Sequence, residues 1–100
     1  ISRDRLLDNV MHYWLPSTGA SSARLYWESY GGRRRTDEVP VPTGVTRFPH
    51  EMVRLPRSWL ERRYTDLRYW SEPTSGGHFA SLEEPELYVD ELRTFFRSLR

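Results

Sequence analysis

A histidine and a glutamate lie 27 residues apart, each where a predicted strand ends. His78 follows Gly76 and Gly77 and precedes a predicted helix, and Glu51 closes the stretch FPHE. The carboxyl ends of parallel strands meet at one edge of a sheet, so we expect the two side chains to meet there. An imidazole that is held by a carboxylate through one nitrogen can take a proton from water with the other. The pair therefore predicts general-base chemistry.

Each of these residues also has an ordinary interpretation. A single loop histidine is most often a surface residue, and a single loop glutamate is most often a solvated carboxylate. Their pairing at one sheet edge favours the functional interpretation. His12 and His50 have no partner pattern, and three scattered histidines do not predict a metal site. The run RRR at 33–35 is more typical of a solvated linker than of a nucleic-acid site.

The composition limits the classes of function. Of 100 residues, 37% are hydrophobic, which is enough for one modest core. The 15 basic residues, all arginine, face 14 acidic ones, and the net charge of +1 would not gather nucleic acid or anionic lipid. Cysteine is absent, which excludes disulfides and thiolate chemistry. No apolar run reaches the roughly 18 residues of a membrane span and no signal-peptide pattern is present, so we expect a soluble segment.

The elements that position the pair follow from the spacing of apolar residues, glycines and prolines. The pattern predicts a helix from Ser2 that closes at 16–19, a helix over 20–30 with a glycine cap at 31–32, a polar linker over 31–38, a strand over 41–48, a helix over 56–64, a strand from Leu67 and a long helix from Pro85. The first two helices are expected to form a hairpin. The strand, helix and strand that follow suggest a βαβ unit.

Two parallel strands with a few helices cannot cover both faces of a sheet. The chain opens on Ile1 and enters a helix at once, which is typical of the inside of a longer protein. We therefore expect the 100 residues alone to be poorly folded and inactive.

Three motifs in order resemble the carboxyl-terminal part of the microsomal-type epoxide hydrolases. DNVMHYWLPSTGASSARLYWE is similar to the lid segment of that family, VPVPTGVTRFPHE to its acid-bearing strand, and GGHFASLEEPE to its histidine loop. The resemblance covers essentially the whole chain. It implies an α/β-hydrolase fold, with residues 1–36 as the end of a helical lid and residues 37–100 as the last part of the catalytic core.

The resemblance also implies the roles of three residues. His78 would be the general base, Glu51 the acid that orients it, and Tyr26 in RLYWE one of two lid tyrosines that hold the epoxide oxygen. The aspartate nucleophile of the family would lie upstream, and no metal or organic cofactor is implied. A phenol is a suitable neutral proton donor, whereas for the other tyrosines packing is the expected role. These are Tyr13, Tyr30, Tyr64, Tyr69 and Tyr88.

The expected partners are a small-molecule epoxide and the amino-terminal remainder of the same protein, without nucleic acid. Members of the family act on xenobiotic, lipid-like or secondary-metabolite epoxides. A soluble cytoplasmic enzyme is expected here, and a homo-oligomer is one open alternative.

Two other functions use the same pair of Glu51 and His78. The chain could belong to another α/β-hydrolase, such as a dehalogenase or an esterase, or to a catalytically silent homologue that only binds. The residue at the upstream nucleophile position would discriminate between them.

Overall fold

The computed structural model describes residues 1–30 and 37–100, which belong to two compact units, Ile1–Arg35 and Thr36–Arg100. The boundary lies one residue from the predicted division between lid and core. The predicted glycine cap at 31–32, the RRR run and most of the predicted linker lie outside the described residues.

The first unit contains two helices, as predicted. Helix α1 covers Arg3–Trp14, and its N-cap is Ser2, whose hydroxyl accepts a hydrogen bond from the Arg5 N–H at 3.3 Å. A tight turn follows, in which Ser17 adopts a φ of 54°. Helix α2 then covers Gly19–Tyr30. The short turn is what a helical hairpin requires.

Large apolar side chains of both helices remain at the surface. Neither α1 nor α2 contains a buried residue. The exposed fraction reaches 84% for Trp27 and Tyr30 and 76% for Trp14. Exposed apolar surface of this kind usually marks a contact face.

The second unit is built on a parallel pair of strands. Strand β1 covers Thr43–Thr46 and strand β2 covers Leu67–Ser71. Thr43 pairs with Leu67, and after an irregularity at Gly44 the register ends with Thr46 opposite Ser71. Helix α3, Arg57–Leu60, lies in the crossover. The predicted βαβ unit is therefore confirmed.

Two of the predicted elements are shorter in the structure. The strand predicted over 41–48 is confined to β1, because the prolines on either side have no N–H for a ladder. The helix predicted over 56–64 ends at Leu60 and continues only as a turn. The carbonyl of Arg63 accepts the Val39 N–H at 2.6 Å, which ties this turn to the segment before β1.

Two helices complete the unit. Helix α4 covers Ala80–Glu83 and was not expected from the sequence, whereas α5 covers Pro85–Arg97 and begins at the predicted proline. Among the described residues, Phe48 and Ala80 are the only hydrophobic residues that are buried, at 8% and 6% exposure. This small core is what an incomplete sheet would have, and the poor folding of the chain alone stays a prediction.

Glu91 joins helix α5 to both strands. One carboxylate oxygen accepts hydrogen bonds from the Thr46 hydroxyl at 2.8 Å and the Tyr69 hydroxyl at 2.9 Å, and the other accepts from the Ser71 hydroxyl at 2.9 Å. Thr46 and Ser71 are the last residues of β1 and β2. A single partly buried carboxylate thus fixes the ends of both strands against α5.

Candidate active site

The chain segments that follow β1 and β2 come together once more beyond the strands. The His50 N–H donates to the Gly76 carbonyl at 3.1 Å, and His50 and Gly77 form an isolated parallel bridge. The next residues along the two segments are Glu51 and His78. The bridge therefore brings the two side chains to the same level at the edge of the sheet, as the sequence predicts.

Glu51 and His78 are in direct contact. The Glu51 Oε1 atom lies 2.8 Å from the His78 Nδ1 atom, and the same oxygen accepts the Met52 N–H at 2.8 Å. The hydrogen bond to His78 is the largest influence on the pKa of Glu51 and lowers it. Burial opposes this shift, but the Met52 and Val53 N–H groups and the charge of His78 add to it, and the pKa is lowered on balance. Glu51 is therefore a carboxylate around neutral pH, and it can hold the imidazole in one orientation.

The hydrogen bond to Nδ1 leaves Nε2 of His78 for chemistry. The side chain of His78 is 46% exposed and that of Glu51 is 31% exposed, so both can be reached from solvent. A neutral imidazole whose Nδ1–H faces a carboxylate presents the Nε2 lone pair as a base. The geometry fits the activation of a water molecule.

The two glycines before His78 are required by close contacts. Gly76 has a φ of 96°, a conformation that side chains disfavour, and a Cβ atom there would lie 2.7 Å from a ring carbon of the buried Phe48. A Cβ atom at Gly77 would lie 2.8 Å from a Glu83 oxygen. The glycine pair thus lets the histidine loop pass close to its neighbours, as the sequence suggests.

The loop also uses a residue that the sequence reasoning missed. Oε1 of Glu83 accepts the Phe79 N–H at 3.0 Å, directly after His78. The Phe79 ring meets the His78 ring edge-on, with 4.9 Å between the ring centroids. Phe79 is the N-cap of α4 and Glu83 follows it by four residues, one more than the spacing of a capping box, so that motif does not reveal the contact.

Tyr26 lies in the first unit, on helix α2. It is 64% exposed, and its ring stacks on Tyr30 with 6.4 Å between centroids. The structure thus brings Glu51 and His78 together in one unit and places Tyr26 in the other. The oxygen-holding role of Tyr26 stays a prediction.

The other predicted features of the site are simpler. His50 takes part through its backbone, as described above, and His12 lies near the end of α1. Within residues 1–30 and 37–100, no group of three potential ligands is arranged to hold a metal ion. No helix in the same ranges has the length and apolar character needed to cross a membrane.

Comparisons with known proteins agree on one group of enzymes. No protein-family model matches the chain. A candidate epoxide hydrolase of Stigmatella aurantiaca is 49% identical over 100% of this chain and 23% of its own length. Epoxide hydrolase 1 of Sus scrofa is 39% identical over 94% of this chain and 22% of its own. The crystal structure of juvenile hormone epoxide hydrolase from the silkworm Bombyx mori matches with a TM-score of 0.89 and 34% identity, over 98% of this chain and 26% of that one.

The extent of these matches defines what the chain is. It spans about a quarter of the length of the relatives it matches, while nearly every residue of it takes part in the match. The structural similarity confirms the predicted fold, part of an α/β-hydrolase, and the share covered agrees with the predicted carboxyl-terminal segment. The chain thus matches, along nearly its whole length, a segment of proteins named epoxide hydrolases, and it shares the α/β-hydrolase fold of that segment.

Proposed function

We propose that this chain supplies the water-activating part of an enzyme that converts an epoxide to a vicinal diol. The observation that carries the proposal is the 2.8 Å contact between Glu51 and His78 where parallel strands end. The chain spans only about a quarter of its relatives. The nucleophile that the family resemblance implies is an aspartate elsewhere in the complete protein. On this proposal the 100 residues alone are inactive.

The first half-reaction forms a covalent ester. The aspartate carboxylate attacks one epoxide carbon, a C–O bond of the three-membered ring breaks, and the ring oxygen takes a proton. Tyr26, together with a second tyrosine outside this chain, holds that oxygen and donates the proton. The exposed phenol on α2 supports this role, since it is open to a substrate. Residues 1–36 would then be the end of the lid segment, and residues 37–100 the last part of the catalytic core.

The second half-reaction breaks the ester. His78 takes a proton from water through Nε2, and the resulting hydroxide adds to the ester carbonyl. The C–O bond between the acyl group and the diol then breaks, and the diol oxygen takes the proton back from the imidazolium. The aspartic acid formed in this step gives its proton to the tyrosinate left by the first half-reaction, which restores both groups. Glu51 holds the imidazole and stabilises its charged form. Its carboxylate needs no protonation change, in keeping with its lowered pKa.

The relatives indicate the class of substrate. The relative from Sus scrofa is named only as an epoxide hydrolase, and the one from Bombyx mori as a juvenile hormone epoxide hydrolase. The epoxide is the only chemical group that the two names have in common. We propose a small-molecule epoxide as the substrate here.

The replacement His78→Gln in the complete enzyme tests the proposal. Glutamine has a similar reach but cannot act as a base, so ester formation should proceed and diol formation should fall by roughly 10²- to 10⁴-fold. Intact-protein mass spectrometry after mixing with an epoxide should show the enzyme heavier by one substrate, with the adduct on an aspartate outside this chain. Glu51→Gln should give a milder form of the same defect.

A matched control is His12→Gln, which alters an exposed histidine on α1. It should turn over at the normal rate without an adduct. Normal turnover of His78→Gln with no adduct would refute the proposal.

A further inference from the structure

The side chain of Glu83 folds back over the loop that carries His78. Its Oε1 atom accepts the Phe79 N–H at 3.0 Å, while the Glu83 N–H donates to the Phe79 carbonyl at 2.9 Å. Both peptide groups of Phe79 are thus bound to one residue of α4. The peptide that joins His78 to Phe79 is held from the carboxyl side of the histidine.

The same carboxylate also lies against the residue before His78. A Cβ atom at Gly77 would be 2.8 Å from Oε2 of Glu83 and 3.2 Å from the Cβ atom of His50. Gly77 is therefore enclosed between the acid-bearing segment on one side and the Glu83 carboxylate on the other. If Glu83 only capped α4, it would need the hydrogen bond to Phe79 but would not need to lie against Gly77.

Together these contacts limit the backbone on both sides of the histidine. The bridge between His50 and Gly77 fixes the entry to the loop, and the bond from Phe79 to Glu83 fixes its exit. The imidazole can stay 2.8 Å from Glu51 only while the Cα–Cβ bond of His78 keeps its direction. Small misplacements of a catalytic group are costly, because rates depend steeply on distance and angle.

We propose that Glu83 is a positioning residue for His78: it holds the residues before and after the histidine and so aims the imidazole at Glu51. This inference rests on the proposed function, in which His78 activates water. It assigns a second carboxylate to the site, one that acts on the backbone while Glu51 acts on the ring.

Separate measurement of the two half-reactions in the complete enzyme tests this role. Glu83→Ala should slow ester hydrolysis by about 10- to 100-fold, since the base is misaligned, and should leave the rate of ester formation within about 2-fold. Glu83→Gln should restore most of the hydrolysis rate, because its amide oxygen can still accept the Phe79 N–H. Glu86→Ala, an exposed acid in the first turn of α5, is the matched control and should leave both rates unchanged.

A spectroscopic measurement keeps the inference separate from the proposed function. The His78 Nδ1 proton that faces Glu51 should give a downfield NMR signal in the unmodified enzyme, and Glu83→Ala should broaden or abolish it. If Glu83→Ala does not fold, Glu83→Asp, whose carboxylate is shorter by one methylene group, should show the same selective defect. Equal loss in both half-reactions, or an unchanged signal with normal hydrolysis, would overturn the inference. Failure of His78→Gln to trap the ester would instead overturn the proposed function.

Discussion

Replacing Glu91 by alanine removes the one acceptor that three hydroxyl groups share. The groups belong to Thr46, Tyr69 and Ser71, at 2.8 to 2.9 Å, and all three bonds are partly buried. In the Glu91→Ala enzyme, the hydroxyls must find water or remain unpaired, and α5 loses its polar attachment to both strand ends. We therefore expect a lower free energy of unfolding.

The size of the effect follows from the nature of the bonds. A hydrogen bond to a charged group contributes about 1.5 to 3 kcal/mol when well buried, and less where water can enter. With about 1 kcal/mol for each of three partly buried bonds, Glu91→Ala should cost about 3 kcal/mol. Glu91→Gln keeps the shape and one acceptor oxygen, so it should cost about 1 kcal/mol.

The assay is urea unfolding of the complete enzyme, with Asp90→Ala as a control on the same helix. The Asp90 side chain is 74% exposed and lies 3.7 Å from Arg93, so its loss should change the free energy of unfolding by less than about 0.5 kcal/mol. Thr46→Val, made alone and together with Glu91→Ala, should show a coupling energy of about 1 kcal/mol. If Glu91→Ala were no less stable than Asp90→Ala, the reasoning would be refuted.

Two further predictions concern the residues of the proposed site. Tyr26→Phe should slow ester formation by roughly 10²-fold and leave hydrolysis of the ester unchanged, as measured in single turnovers. Tyr30→Phe on the same helix is the control. Slow hydrolysis with normal ester formation would exclude the proposed role of Tyr26. The Glu51 carboxyl, followed by NMR, should titrate below its usual pH, and His78→Gln should raise its pKa. Because the pKa is lowered in the folded enzyme, the stability that Glu51 contributes is present above its unfolded pKa and is lost as the pH falls through the folded one. An unshifted midpoint would contradict the contact with His78.

Features that depend on local sequence could be predicted. The N-cap at Ser2 and the proline start of α5 are written in a few adjacent residues. The meeting of Glu51 and His78 followed from a general property of parallel strands and needed no knowledge of the packing.

Features that depend on packing could not be predicted from the sequence. Glu91 stands in the middle of an amphipathic helix, where an acid is normally solvated, and its three partners come from two distant strands. The bond from the Val39 N–H to the Arg63 carbonyl, after α3, joins residues that are far apart in the sequence. The role of Glu83 depends on how closely Gly77 approaches it.

His50 and Gly77 form a bridge directly before Glu51 and His78. The alignment of these two side chains therefore does not depend on the length of the chain between them. What sets Glu51 beside His78 is the backbone hydrogen bond from the His50 N–H to the Gly76 carbonyl, together with the strand register behind it. Beyond Met52 and Val53, whose N–H groups bind Glu51, the backbone bonds that align the pair do not involve the crossover over 52–66. The spacing of 27 residues between Glu51 and His78 thus reflects the length of this crossover. Enzymes with the same pair could have a shorter or longer crossover. The segments that join the strands to the bridge, 47–49 and 72–76, have no such freedom, because a change in their length would move one side chain past the other.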